Sequence, residues 1–573
     1  DAVLAQILPQ YEALETVDFQ VQHWDISDWK SLQSRCHGPT FNAGGYDWRI
    51  LLYPKGNNQT DVVSVYLELT NPPQGVDWAV CAQFALAISN KNDPTNFHSN
   101  YAQHRFTSEE IDWGFTRFYD IKGLAKSQCP YIVDGQTTLS VFVRVVKDDT
   151  GVLWHNLINY DSRKETGYVG IKNQGATCYM NSLLQSLYCT NSFRRAVYQI
   201  PTESEEPTKS VALALQRCFY QLEHSDEPVG TTELTKSFGW DSLDAFMQHD
   251  IQEFNRVLQD NLEMRMKNTP ADGSIKKLFV GKMKSYIKCI NVNFESSCVE
   301  DFYDIQLNVK GCKNVSESFK DYVKEEIMDG ENRYMAEGQG LQDAKKGVRF
   351  QSFPPVLHLH LKRFEYDMQK DTLIKINDYY QFPERINLDE FCEEPPSEPY
   401  DYVLHGVLVH SGDLDGGHYF ALIRPEKDAN WFRFDDDRVT PVALREVYED
   451  NFGDEHTQSE QVSDRTHSNS LQSLRRFTSA YMLVYMREKM LDEILAPVDG
   501  KDIPGHLSMY EDWMGLNKFR ATDHVSVERQ FRETRFYRKD GEKMYRDVAL
   551  IYLSKINLCR IGKNDVFFPN LGI

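Results

Sequence analysis

Residues 170–185 read GIKNQGATCYMNSLLQ. Glycines and polar residues make a loop that ends at Cys178, after which Leu183, Leu184 and Leu187 recur at helical spacing. The pattern predicts a helix that opens on a cysteine. A thiol there meets the positive end of the helix dipole, which favours thiolate and therefore nucleophilic chemistry near neutral pH. Of the eleven cysteines, Cys178 alone has this setting. The competing reading is a small buried apolar residue.

Two downstream segments bear on that choice: GGHY at 416–419 and FDDD at 434–437. The run from His418 to Arg424 is apolar and aromatic, residues 425–430 are turn formers, and residues 431–435 resume a strand, so the unit reads as a hairpin. If Arg424 pairs with Trp431, Phe420 faces Asp435. His418 then shares the face of Asp435 as its diagonal neighbour, and Asp436 points away. The roles follow from that register: Cys178 attacks, His418 takes and returns the proton, and Asp435 holds the imidazole tautomer. Asn173, five residues before Cys178, suits an oxyanion donor and equally suits hydrogen bonding within its own loop.

The 573 residues predict roughly four domains at about 150 residues each. With 63 basic against 85 acidic residues the net charge is −22, which argues against nucleic acid and for a basic partner. No apolar stretch is long enough for a membrane span, and the first residues lack the basic region of a signal peptide. A start at Asp1 rather than Met fits a piece of a longer chain. Scattered cysteines fit reduced thiols in a cytoplasmic or nuclear setting.

Residues 17–148 read as short strands separated by turn clusters, an all-β sandwich. Residues 1–16 form an N-terminal extension and 149–165 a linker, before helical periodicity begins. A long helix is expected from about Ser242 to Lys267, its stripe formed by Met247, Ile251, Phe254, Leu258 and Leu262, with Asp250 and Glu253 on its flank. Residues 357–362 alternate Leu with polar residues, so His358 and His360 share a polar face as a solvated or hydrogen-bonded pair, not a metal site. Residues 454–474 read as a long surface loop.

At these residues the sequence resembles the ubiquitin-specific protease family of cysteine deubiquitinases. Residues 167–185 resemble its Cys box and residues 402–419 its His box; QHDIQE at 248–253, PVLHLHLKRF at 355–364 and AYMLVY at 480–485 match further segments. The matches span 166–488 and imply an α+β, papain-like catalytic domain of thumb, palm and fingers. Upstream, residues 48–54, DWGF at 112–115 and the strand ending at Val146 resemble a TRAF-like (MATH) domain. That order is found in the herpesvirus-associated branch of the family and its fungal counterparts.

The resemblance implies hydrolysis of the isopeptide bond after the C-terminal Gly-Gly of ubiquitin, with no cofactor. It implies partners of three kinds: ubiquitin, ubiquitinated proteins, and short peptide motifs bound by the TRAF-like domain. Asp250, Glu253 and His249 would line the channel for the basic ubiquitin tail, and Gly416 and Gly417 would leave room beside His418. Asp112 and Trp113 would form the peptide groove, although Trp113 reads equally as core packing. Gly239, Trp240 and Asp241 would belong to a loop that switches on ubiquitin binding, leaving Cys178 and His418 apart in the free enzyme. The other reading of that loop is an N-cap region with Trp240 as a fixed anchor.

Two departures from the family stand out. Cys289 faces Val292 where a zinc-binding pair would have a second cysteine, so a four-sulfur site cannot form, and Cys298 and Cys312 read as packing thiols. Residues 489–573 have room for at most one ubiquitin-like domain, and their role is open. A catalytically silent scaffold and a hydrolase for a ubiquitin-like modifier are the competing functions.

Overall fold

Alternating apolar residues in the first 150 positions resolve into two antiparallel sheets. In the computed structural model the described residues are 7–8, 14–58, 61–73, 78–120, 130–240, 250–368, 371–413, 416–454 and 478–508. One sheet runs Thr16–Ile26, Thr137–Val146, Ala79–Asn90, Asp93–Thr107; the other runs Cys36–His37, Tyr46–Tyr53, Val62–Leu69, Asp112–Asp120, with Phe41–Ala43 beside Tyr46–Tyr53. Their facing side chains, including Trp48, Leu67, Phe84, Phe106 and Val143, make one core. Each such residue contributes roughly 1.5–3 kcal/mol on burial. The Trp48 indole N–H donates to the Ala43 carbonyl at 3.0 Å, so the largest core ring leaves no polar atom unmet. After the last strand, Arg105 ties down the connection: it pairs with Asp148 and donates to the Gly151 and Leu153 carbonyls.

The second half is organised on an eight-stranded sheet. Its order is Ile305–Asn308, Val356–Lys362, Thr478–Arg487, Asp401–Ser411, His418–Ile423, Phe432–Asp435, Arg438–Pro441, with Arg385–Asn387 at the edge of Asp401–Ser411. Only the first pair is parallel. Helices Cys178–Tyr188, Asn191–Tyr198, Val211–His224 and Ile251–Met266 pack together, the first of them against His418–Ile423. A second sheet projects as Glu295–Phe302, Gly281–Cys289, Ala344–Ser352, Glu326–Met328.

Several expectations need correction. The long helix runs Ile251–Met266, and residues 242–249 of the expected span lie outside the described residues. Asp250 has extended backbone and caps it, accepting from the Gln252 and Glu253 N–H groups at 2.7 and 3.4 Å. An aspartate satisfies otherwise orphaned N–H groups best from just outside a helix. The apolar stripe holds at Ile251, Phe254, Leu258 and Leu262, all buried; Met247 lies outside the described residues.

Of the two readings left open for the strand histidines, the solvated one does not hold and His358 is hydrogen-bonded, because helices cover the face that alternation marks as polar. His358 is 1% exposed and His360 9%. Burial pushes His358 down to about 4, so its ring is neutral and Nδ1 accepts from the Asn255 amide at 3.2 Å. Cys298 is exposed, not packed, because it lies on the edge strand of the projecting sheet. Cys289 is buried in a small cluster with Ala336 and Ala344, against Val292, Phe294 and Tyr334.

The nine cysteines among the described residues are free, and none of the described helices is long and apolar enough to cross a membrane. The surface loop expected at 454–474 lies, from residue 455, outside the described residues. Contacts divide the chain into a unit Asp1–Ile503 and a unit Pro504–Ile573; only residues 504–508 of the latter are described.

Candidate active site

The loop before Cys178 is fastened on both sides. Ile171 N–H donates to the Asp436 carbonyl at 2.7 Å and Lys172 N–H to that of Val229 at 2.8 Å. Gly170 is required by the first contact, since a Cβ would sit 2.3 Å from the Asp437 carbonyl carbon. The helix Cys178–Tyr188 is buried on every side. Its polar residues therefore bond inward or along the helix: Gln185 donates to the Val169 carbonyl at 2.9 Å, Asn181 to Asp436 at 2.8 Å and Ser182 to the Cys178 carbonyl at 2.8 Å.

The hairpin register is the one read from sequence, with Ala421 opposite Phe434 and Ile423 opposite Phe432. His418 and Asp435 consequently meet: Nε2 lies 2.5 Å from Oδ1 across 17 residues of chain. His418 is also in hydrogen-bonding contact with Cys178, and bonds to Asp435 and then Cys178 raise its pKa to about 10. At neutral pH the ring is an imidazolium. For Asp435, burial opposes ionisation, but the bonds from His418 and the Arg433 guanidinium outweigh it and hold the carboxyl below its ordinary range. Arg433 donates to the other oxygen, Oδ2, through Nε at 3.0 Å and Nη2 at 2.7 Å. Sequence reading missed Arg433, although i, i+2 spacing on a strand places it on the face of Asp435.

Asp436 makes a separate set of bonds. Its backbone is left-handed, at φ 48°. Its carboxylate accepts from Asn173 and Asn181, each at 2.8 Å. The Asn173 side-chain oxygen, Oδ1, accepts from the Gly175 and Thr177 N–H groups at 2.9 and 3.1 Å. Asn173 thus makes the loop bonds of the alternative reading. His418, Asp435 and Asp436 also approach one another closely enough to suggest a cation site; their bonds to one another and to the asparagines account for the grouping.

The remaining site residues are dispersed. Asp250 accepts from the Tyr481 hydroxyl on the oxygen not used for capping, and Glu253 is exposed. Gly416 has open space where a Cβ would stand; at Gly417 that Cβ would fall 1.8 Å from His410 Nε2, so the second glycine serves the fold rather than clearance for a ligand. Trp113 is 41% exposed and stacks on His104 at 4.0 Å, which excludes the core-packing reading. Asp112 pairs across the sheet with Glu68. His249 and Asp241 lie outside the described residues.

Of the expected switching loop, Gly239 and Trp240 are among the described residues. Gly239, at φ 79°, ends the helix Thr232–Ser237: its N–H bonds to the Lys236 carbonyl and that of Trp240 to the Thr235 carbonyl. That pair of bonds is a Schellman cap, which itself demands a left-handed residue. Trp240 packs on Phe238 and Phe254 at 5.5 and 5.7 Å. Cys178 is in hydrogen-bonding contact with His418.

A cysteine opening a buried helix, a histidine against it and a carboxylate behind the histidine make an arrangement suited to nucleophilic chemistry by a thiol. Residues 169–485 match the ubiquitin carboxyl-terminal hydrolase family and residues 22–143 a MATH domain. The chain is similar to ubiquitin carboxyl-terminal hydrolase 15 of Schizosaccharomyces pombe, 51% identical over 91% of this chain and 48% of that protein. Its namesake in Saccharomyces cerevisiae is 49% identical over 88% and 44%, and ubiquitin carboxyl-terminal hydrolase 7 of Drosophila melanogaster 47% over 83% and 40%. The chain spans about half the length of these curated relatives. It belongs to the ubiquitin carboxyl-terminal hydrolase family, with an N-terminal MATH domain.

Proposed function

We propose that this chain hydrolyses the isopeptide bond after the C-terminal Gly-Gly of ubiquitin. The observation that carries the reading is the continuous contact from Cys178 through His418 to Asp435. The Cys178 sulfur attacks the carbonyl carbon of the last glycine, and the C–N bond breaks as His418 gives its proton to the departing lysine amine. Water then loses a proton to His418 and attacks the thioester. The C–S bond breaks, releasing the ubiquitin carboxylate.

Asn173 is proposed to support the oxyanion with the Cys178 N–H. One Asn173 amide hydrogen bonds Asp436, and the residue is exposed, so the other is accessible to a bound substrate. Glu253 and the charge of Asp250 suit the basic ubiquitin tail. The exposed Trp113 edge beside Asp112 suits capture of a short peptide from the substrate protein, in a cytoplasmic or nuclear setting.

The test is reaction of the purified chain with ubiquitin and ubiquitin-like modifiers carrying a C-terminal electrophile. A covalent adduct of ubiquitin on Cys178, lost in Cys178→Ala, is expected. No adduct with any modifier identifies a scaffold; an adduct only with a ubiquitin-like modifier changes the substrate. For the MATH domain, joint replacement of Asp112 and Trp113 by Ala should abolish capture of target proteins while a small ubiquitin reporter is still cleaved. Unchanged capture would overturn that part.

A further inference from the structure

We infer that Arg433 is a positioning residue for the hydrolytic line, fixing Asp435 so that one carboxylate oxygen is always presented to His418. The inference rests on the function proposed above. Four side chains share one face of the hairpin: His418 and Phe420 on one strand, Arg433 and Asp435 on the next. Two arms of the guanidinium converge on Asp435 Oδ2, at 3.0 and 2.7 Å, leaving Oδ1 for His418. The third arm donates to Glu446 Oε1 at 3.2 Å, from the short helix Leu444–Val447 that follows. The guanidinium plane is seated 3.8 Å from the Phe420 ring centre. A group held on three sides cannot follow Asp435 if that side chain rotates; it holds the side chain in place.

The planar fork matters as much as the charge. A lysine could neutralise Asp435 from several positions, whereas the fork selects one rotamer of the carboxylate. With Asp435 fixed through Oδ2, His418 Nε2 is engaged by Oδ1 and the opposite ring nitrogen faces Cys178. Burial works against ionisation of both Asp435 and Glu446, and Arg433 is the cation that serves both. Asp450 adds a further negative charge beside Glu446, and Asp436 is bonded to the asparagines.

The experiment compares the whole chain with Arg433→Met and Arg433→Lys variants, following hydrolysis of a C-terminal ubiquitin reporter across pH. Loss of the fork frees Asp435 to rotate, so His418 loses the bond that most raises its affinity for a proton. The expected result for Arg433→Met is a fall in kcat on the order of 10- to 100-fold, KM within about threefold of wild type, and a basic limb about one unit lower or more. Arg433→Lys should fall between the two. If Asp435 stays in place without the fork, removing the nearby positive charge moves the basic limb up; a limb that rises or stays overturns the inference. Alkylation of Cys178 by iodoacetamide over the same pH range reads the dyad without ubiquitin, so the pH at which its rate steps as His418 loses its proton tests Arg433 even if the wild-type chain proves inert toward ubiquitin. Should Arg433→Met fail to fold, Arg433→Gln and Arg433→Lys carry the same comparison, with the same limb as the deciding quantity.

Discussion

The Asn173 side-chain amide donates to Asp436 Oδ2 at 2.8 Å, while the adjacent Asp435 bonds His418. Two consecutive carboxylates thus hold two different elements: one the imidazole, the other the loop ahead of the nucleophile. The left-handed backbone at Asp436 makes the division possible, since it ends the strand and turns the second side chain toward the Cys178 helix.

That separation predicts unlike effects for neighbouring substitutions. Asp435→Asn removes the partner that keeps the imidazole charged and correctly oriented, so kcat should fall on the order of 10³- to 10⁴-fold. Asp436→Ala releases Asn173 and Asn181 but leaves the His418–Asp435 bond, so a loss of about 10²-fold is expected, with the basic limb of the pH profile where it was. Steady-state kinetics of the reporter across pH separate the two. Equal losses with equal limb shifts would show that both carboxylates serve the histidine.

How much of this was legible in sequence depended on whether a local rule was free of tertiary competition. The hairpin from His418 to Asp435 was readable because strand alternation and a short turn fix its register, and the register in turn fixes which aspartate meets the histidine. For His358 and His360 solvated and hydrogen-bonded readings both stayed open, because period-two alternation marks a face as polar but cannot tell that helices cover it. Asp250 misled because its place in a helical repeat says nothing of whether it lies inside the helix or caps it. Gly239 carries a role the sequence reading did not see: two backbone bonds show it ending the preceding helix.

The paired glycines before His418 should also separate. Gly417→Ala places a Cβ against the His410 ring, which is itself packed on Tyr419 and Phe364. Overpacking of this kind costs about 1–3 kcal/mol, and the displaced turn should lower kcat. Gly416→Ala meets open space, so its Tm should match wild type and any effect should fall on KM, where the substrate tail is proposed to pass. Thermal unfolding and kinetics on both variants check this; a lowered Tm for Gly416→Ala would show that its space is needed by the fold.

The projecting sheet should be indifferent to chelators. Its tip is closed by side-chain burial around Cys289, with Phe294 and Tyr334 rings 6.4 Å apart. Tm should be the same with and without EDTA. Phe294→Ala should cost about 2 kcal/mol, below the cost of truncating a fully buried phenylalanine. A chelator-sensitive Tm would overturn this account of the tip.

His418 ties stability to pH in a definite direction. Its folded pKa, raised to about 10, lies well above the ordinary value near 6.5 expected in the unfolded chain. Below about 6.5 both states carry the proton, and the bonds to Asp435 and Cys178 contribute in full. Between about 6.5 and 10 the unfolded chain binds fewer protons than the folded one, so the contribution declines steadily with pH, and above about 10 it is gone. Partial exposure of the ring screens the interaction and keeps the effect modest. Subtracting the pH dependence of a His418→Gln variant from that of wild type removes every other titrating group outside the line. The difference in unfolding free energy, from denaturant midpoints between pH 5 and pH 11, should favour wild type most at the acid end and shrink toward the alkaline end. A difference that grows with pH would mean that the folded imidazole is neutral, and the imidazolium assigned to the hydrolytic line would have to be abandoned.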